Sequence, residues 1–139
     1  MQRGTAIPLV LIATDKVPTV SRPQEPKRPL PYREEEVEYP SLAPRVKLAG
    51  TLTAPAMGSH LPAVLLITGS GAEDRNQAVF GHKPFLVLSD YLTRQGIAVL
   101  RVVDRGVGGS SAGPPGATGF DRSADEGRAV SAVSLLLDR

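Results

Sequence analysis

Alternating apolar and polar residues divide the chain into short segments that are typical of an α/β protein. Val37 and Tyr39 alternate with charged residues over 34–39, and the alternation over 46–53 predicts a second strand, antiparallel to the first. Residues 63–67 (Ala-Val-Leu-Leu-Ile) and 97–103 form nearly continuous apolar runs. Such runs are expected of strands that are buried on both faces of a parallel sheet.

A first helix is predicted between these two apolar strands. Phe85, Leu88 and Leu92 have the spacing of one buried helical stripe. Pro84 suits the first turn of this helix, where its missing N–H has no partner to lose, and Gly96 suits its C-terminal end.

A second helix is predicted at the end of the chain. Ser123 and Glu126 have the spacing of a capping box. The apolar residues expected on its inner side are Ala129, Val130, Val133, Leu136 and Leu137. The element order is therefore β-β-β-α-β-α, and a strand–helix–strand unit requires a parallel pair with a right-handed crossover. We expect an α/β domain with a mostly parallel sheet, whose last helix leads toward a strand that these residues do not include.

The first 32 residues have a different character. Residues 5–13 are apolar and β-prone, which predicts a single strand. Prolines recur over 18–32 in a way that favours an extended linker, although a ligand for a proline-binding module has the same composition. The start could also resemble a signal peptide, but Pro8 interrupts the apolar core and no convincing cleavage site follows. We place the domain boundary near residue 32 and leave the localisation open.

Composition excludes several classes of function. The 16 basic and 14 acidic residues give a net charge of only +2 and are scattered, which argues against a nucleic-acid partner. Cysteine is absent, and the two histidines, His60 and His82, are too far apart in sequence for a helical metal pair. No apolar run approaches the roughly 20 residues of a membrane span. We therefore expect no metal site, no cofactor and no membrane span.

Two glycine-rich loops follow the apolar strands, where sites form in open α/β sheets. The first, over 68–75 (Thr-Gly-Ser-Gly-Ala-Glu-Asp-Arg), could direct backbone N–H groups at a phosphate or an oxyanion, or could be a tight turn without a ligand. A dinucleotide fingerprint would need glycine where Asp74 stands. The second, over 104–111 (Asp-Arg-Gly-Val-Gly-Gly-Ser-Ser), is interpreted as a structural loop that its own charges brace.

Residues 109–113 (Gly-Ser-Ser-Ala-Gly) match the Gly-x-Ser-x-Gly pattern of a nucleophile elbow. That pattern requires a strained turn between a strand and a helix. Here the predicted strand ends near Val103, and Pro114 and Pro115 stand where a helix should begin. We therefore interpret Ser111 as a chance match rather than a nucleophile.

The order and spacing of several short motifs resemble the opening of bacterial α/β-hydrolases of the esterase type. They lie at 32–37, 47–52, 62–71, 80–85, 93–101 and 104–110. The resemblance covers 32–139, and residues 1–17 resemble the end of an extra β-rich domain that precedes the hydrolase in such proteins. It implies three regions: the tail of an upstream domain over 1–17, a proline-rich linker over 18–32, and the N-terminal half of an α/β-hydrolase domain over 33–139.

The resemblance also implies a mechanism for a complete enzyme. A serine would attack an acyl carbonyl, a histidine would act as the base, and two backbone N–H groups would hold the oxyanion. By position Ser70 would supply one of these N–H groups, with Gly69 and Gly71 permitting the turn, and Thr68 stands where family members often have histidine. The motif Asp104, Arg105 and Gly106 matches the family's structural loop near the site.

In that family the serine, the acid and the histidine all follow the point that corresponds to Arg139. The implied incomplete α/β-hydrolase fold therefore stops before the nucleophile strand, and we place no catalytic residue in this chain. His82 is interpreted as a residue that braces its loop.

Our leading hypothesis is an N-terminal fragment of a serine hydrolase of the carboxylic ester or thioester type, inert by itself, whose full-length form takes a small-molecule acyl substrate. The missing C-terminal half would pack on residues 63–67, and without it that apolar edge would favour aggregation. The alternative is a non-enzymatic binding or interaction module of native short length.

Overall fold

The computed structural model describes residues 21–41, 45–69, 72–112 and 122–137, which include every element predicted beyond the linker. The elements are β1 (Tyr32–Pro40), β2 (Lys47–Pro55), β3 (Ala63–Leu66), α1 (Pro84–Arg94), β4 (Ala98–Val102) and α2 (Arg122–Leu137). This order confirms the predicted β-β-β-α-β-α succession. The strand predicted over 5–13 lies outside the described residues.

The four strands form one sheet in the order β1-β2-β4-β3, and its pairing corrects the prediction of a mostly parallel sheet. The β1–β2 and β2–β4 pairs are antiparallel, and only β3 and β4 are parallel. The physical reason is the connection between strands. The helix α1 provides the crossover that the parallel β3–β4 pair needs, whereas the short connection between β1 and β2 suits an antiparallel pair. Gly50 permits this pairing, because a Cβ there would lie 2.8 Å from the Arg101 carbonyl oxygen.

One face of the sheet is apolar and is covered by α2. Its core comprises Val37, Tyr39, Val46, Leu48, Leu52, Leu100, Val102, Ala129, Ala132 and Val133. Within α2, Ala129 and Val133 are buried as predicted, but Val130 is 59% exposed and Ala132 takes its place. The buried face of α2 is therefore rotated around the helix axis relative to the predicted face. The helix begins at Arg122, so the expected cap residue Ser123 lies inside the first turn.

The opposite face is covered by α1 and is unusually polar. The buried residues of α1 are Ser89 and Thr93, and the Thr93 and Thr53 hydroxyl oxygens lie 2.8 Å apart. The predicted stripe is shifted, since Leu88 is 41% exposed. Gly96, with a φ of +89°, follows the end of α1 as predicted. The helix docks partly through hydrogen bonds rather than through an apolar stripe alone.

The burial of the strands agrees with their positions, since β4 lies inside the sheet and β3 lies at one of its two edges. Every residue of β4 is buried, as predicted. In β3, Ala63 is exposed and the other three residues are only partly buried, which corrects the expectation of a strand covered on both faces. The outer edge of β3 has no partner among the described strands.

The contact between β1 and α1 centres on Asp90. The Tyr32 hydroxyl donates to Asp90 Oδ1 over 2.8 Å, and Arg94 Nε donates to Asp90 Oδ2 over 2.9 Å. Burial raises the pKa of Asp90, but hydrogen bonds from Arg94 and Tyr32 outweigh it and hold that pKa below its usual value. Burial and the Asp90 carboxylate raise the pKa of Tyr32.

This contact predicts an acid-dependent contribution to stability. A carboxyl group with a depressed folded pKa stabilises the fold above its unfolded pKa, about 3.9, and the contribution is lost as the pH falls through the folded pKa. We expect Asp90→Asn to be less stable than the wild type at pH 7 and the difference to shrink toward pH 2. Urea unfolding across this range measures it, with the exposed Glu38→Gln as control. A difference that does not change with pH would contradict the prediction.

Candidate functional site

Two loops lie side by side at the carboxyl ends of β3 and β4. The first loop spans 68–83 and the second spans 103–111; Ser70 and Gly71, predicted to border the oxyanion, lie outside the described residues. Of the predicted oxyanion residues, the structure thus places only Gly69. The loops meet because β3 and β4 are adjacent and parallel.

Asp104 links the second loop to the first. Its carboxylate is buried, with the residue only 3% exposed, and accepts hydrogen bonds from the Thr68 hydroxyl at 2.7 Å and from the Glu73 N–H at 3.0 Å. These donors lie on either side of Gly69 in sequence. Asp104 therefore fixes the two flanks of the segment that contains this glycine.

Arg75 links the loops in the opposite direction. Its Nη2 donates to the Gly108 carbonyl oxygen at 2.8 Å, and its Nη1 donates to Thr51 Oγ1 at 2.7 Å and forms an ion pair with Glu36. Burial lowers the pKa of Arg75, which remains a cation at neutral pH. Asp104 and Arg75 together form a reciprocal brace, since each loop sends a charged side chain to the backbone of the other.

Asp74 shapes the middle of the first loop. Its Oδ1 accepts from the Asn76 N–H at 2.7 Å and from the Ala78 N–H at 3.2 Å, while its carbonyl oxygen accepts from the Gln77 N–H at 3.0 Å. The Asn76 carbonyl then accepts from the Phe85 N–H at 3.2 Å, at the start of α1. Asp74 thus makes a turn in the position where a dinucleotide fingerprint would require glycine.

A buried arginine supports this turn from the sheet. Arg101 is 2% exposed, donates to the side-chain oxygen of Asn76, and lies 3.5 Å from Glu34 Oε2. Burial lowers its pKa, and its Nε has no hydrogen-bond partner among the described residues. The sequence signal for this group was an arginine inside an otherwise apolar strand.

The serines at the end of the second loop bind backbone. Ser110 Oγ accepts from the Ala49 N–H at 2.9 Å and donates to the Val103 carbonyl at 3.1 Å. Ser111 Oγ accepts from the Lys47 N–H at 3.2 Å, and the Ser111 N–H donates to the Lys47 carbonyl at 2.8 Å. Both hydroxyls thus attach the loop to β2.

The remaining residues of the second motif, Arg105 and Gly106, contact Ser41 and the second loop itself. Arg105 Nη2 donates to Ser41 Oγ at 3.2 Å, near the end of β1. Gly106 adopts a φ of +76°, and its N–H donates to the Ser111 carbonyl at 3.2 Å. Of the contacts given above for these three residues, those of Asp104 reach the first loop.

His82 contacts the linker rather than the brace. Its Nδ1 lies 2.9 Å from Arg22 Nη1, and Arg22 Nη2 donates to the Phe80 carbonyl at 3.3 Å. A cleft of about 620 Å³ adjoins it on the outer side of α1. The lining residues are Gln24, His82, Lys83, Pro84, Val87, Leu88 and Tyr91.

Over the described ranges, no cluster of three histidine, cysteine, aspartate or glutamate side chains could hold a metal ion. Among those same residues no helix is long and apolar enough to cross a membrane.

Comparisons with known proteins connect this geometry to one fold. The chain matches no protein-family model and no curated protein. It is similar to the solved structures of esterase Est22 and of a mutant of that enzyme, each with a TM-score of 0.55 and 22% identity over 78% of this chain. The chain spans about a third of those structures, 31% of their length. The mixed sheet and its two helices therefore resemble part of an esterase fold, and at this identity the similarity concerns the fold alone.

Proposed function

We propose that residues 33–139 are the N-terminal part of a serine hydrolase that cleaves carboxylic esters or thioesters. The observation that carries the proposal is the braced first loop, placed after β3 in a sheet that resembles part of an esterase. In this proposal the nucleophile, the histidine and the acid belong to polypeptide that follows Arg139 in the gene product.

The brace suits the chemistry of acyl transfer. A tetrahedral oxyanion is stabilised by donors that are already oriented before the reaction, because they then need no reorganisation as charge develops. Asp104 accepts hydrogen bonds from the Thr68 hydroxyl and the Glu73 N–H, on the two flanks of Gly69, and Arg75 donates to the Gly108 carbonyl of the second loop. The N–H of Ser70 is the donor that we propose on this segment.

The edge of β3 supports the second part of the proposal. This strand is apolar and parallel to β4 and has no outer partner among the described strands. An unpaired apolar edge is a site for the addition of another strand. We propose that the strand carrying the nucleophile packs against it.

The native gene product provides the test. We expect an intact mass well above 14.7 kDa, labelling by a fluorophosphonate serine probe, and hydrolysis of p-nitrophenyl acetate or butyrate. A recombinant chain of residues 1–139 should be unlabelled, and heat-denatured native protein is the second control.

A native product of 14.7 kDa that the probe does not label would contradict the hydrolase proposal. The alternative function, a binding module, would then be favoured, and the cleft between Gln24 and Tyr91 would be its first candidate surface.

A further inference from the structure

Gln77 has an unusual backbone conformation in the first loop. Its φ of +50° lies in the left-handed region, which a residue other than glycine, asparagine or aspartate seldom adopts and which costs about 1 kcal/mol. The neighbouring residues hold it there, since Asp74 accepts the N–H groups of Asn76, Gln77 and Ala78. Conformations of this kind persist where the surroundings impose them, and they cluster at functional sites.

The turn directs the Gln77 side chain to Gly69. Its Nε2 lies 3.6 Å from the position that a Cβ on Gly69 would occupy, and among the described residues no other atom, apart from the chain neighbours of Gly69, lies within 4 Å of that position. The side chain is half-buried, and its amide has no hydrogen-bond partner among the described residues. The Gln77 amide N–H therefore lies beside Gly69 without an acceptor among the described residues.

Two other polar side chains near Gly69 are already engaged. The Thr68 hydroxyl donates to Asp104, and the Arg75 guanidinium binds Thr51 and Gly108. Gln77 thus presents an available N–H beside Gly69, within the described part of the first loop.

We propose that the Gln77 carboxamide donates a hydrogen bond to the oxyanion formed during ester hydrolysis. The inference rests on the proposed function. When the serine oxygen bonds to the carbonyl carbon, its proton passes to the histidine, the π pair moves to the carbonyl oxygen, and Nε2–H stabilises that charge. When the pair returns, the bond to the alcohol oxygen breaks, and the alcohol leaves with the proton carried by the histidine. Water then attacks the acyl-serine with the histidine as base, a second oxyanion forms at the same place, and its collapse releases the acid and returns the proton to the serine, so that Gln77 is unchanged at the end of the cycle.

Replacement of Gln77 by methionine tests the proposal, because it keeps the length of the side chain and removes the donor. In the native-length gene product, with p-nitrophenyl butyrate as substrate, we expect kcat to fall about 100-fold while KM changes less than about twofold, as for loss of one oxyanion donor. Gln95→Met, at the exposed end of α1, is the matched control and should leave both constants unchanged.

Gln77→Gly separates the catalytic role from a structural one. Glycine accepts the left-handed φ, so the melting temperature should not fall, yet the donor is absent and kcat should again drop about 100-fold. A residue that only maintained the loop would lose stability together with activity.

The outcomes distinguish this proposal from the one on which it rests. A wild-type protein that hydrolyses esters, with Gln77 variants within about threefold of its kcat, would overturn the role of Gln77 alone. A native-length protein that hydrolyses no ester would overturn both.

Discussion

Replacement of Glu34 by alanine is expected to lower the free energy of unfolding by about 3 kcal/mol, because it leaves a buried guanidinium without its carboxylate. Arg101 is 2% exposed and lies 3.5 Å from Glu34 Oε2. Asn76 would remain as a neutral partner but cannot balance the charge. Urea unfolding of the two proteins measures the difference.

A second substitution shows whether the stranded charge is the cause. Changing Arg101 to methionine in the Glu34→Ala background removes the unpaired cation, and we expect it to recover most of the lost stability, since an apolar pair often replaces a buried ion pair without loss. The control is Glu38→Ala on the same strand, whose exposed pair with Lys47 should contribute less than about 1 kcal/mol. Equal effects of the Glu34 and Glu38 substitutions would contradict the argument.

The elements of this fold were predictable because their patterns are local. The alternation around Val37 predicts β1, and Gly96 marks the end of α1 whatever the rest of the chain does. The sheet order was not predictable in the same way, since β2 pairs with β4 through contacts such as Leu52 with Leu100 that are distant in sequence. The close approach at Gly50 becomes informative only when that partner is known.

The candidate site was likewise predictable only as far as local patterns in the sequence reach. Glycine-rich segments after two apolar strands single out Gly69 and Asp104, and the structure places these residues in two neighbouring loops. Gln77 was missed because its approach to Gly69 depends on a turn that Asp74 creates. The burial of Arg101 was not predicted, because Arg101 lies within an apolar run. Periodicity indicates which face of a strand a residue occupies, but not whether polar partners await it on that face.

Asp104→Ala should remove the brace and lower the free energy of unfolding by about 3 kcal/mol, since each buried partner left unsatisfied costs about 1–3 kcal/mol. The two partners are the Thr68 hydroxyl and the Glu73 N–H, which bind separate carboxylate oxygens at 2.7 and 3.0 Å. If the proposed function holds, ester hydrolysis by the native-length protein should fall as well, because both flanks of Gly69 are released. Thermal unfolding and kcat measure the two effects.

Asp104→Asn is the informative companion variant. Its amide oxygen can still accept from the Glu73 N–H, and the Thr68 hydroxyl, which can donate or accept, can turn to accept from the new amide. We expect a loss of only about 1 kcal/mol, since the hydrogen bonds remain but no longer involve a charge. Adding Thr68→Val to Asp104→Asn should restore the larger loss, because the amide then lacks its acceptor. If alanine and asparagine at position 104 were equally mild, the brace would not be what holds the first loop in place.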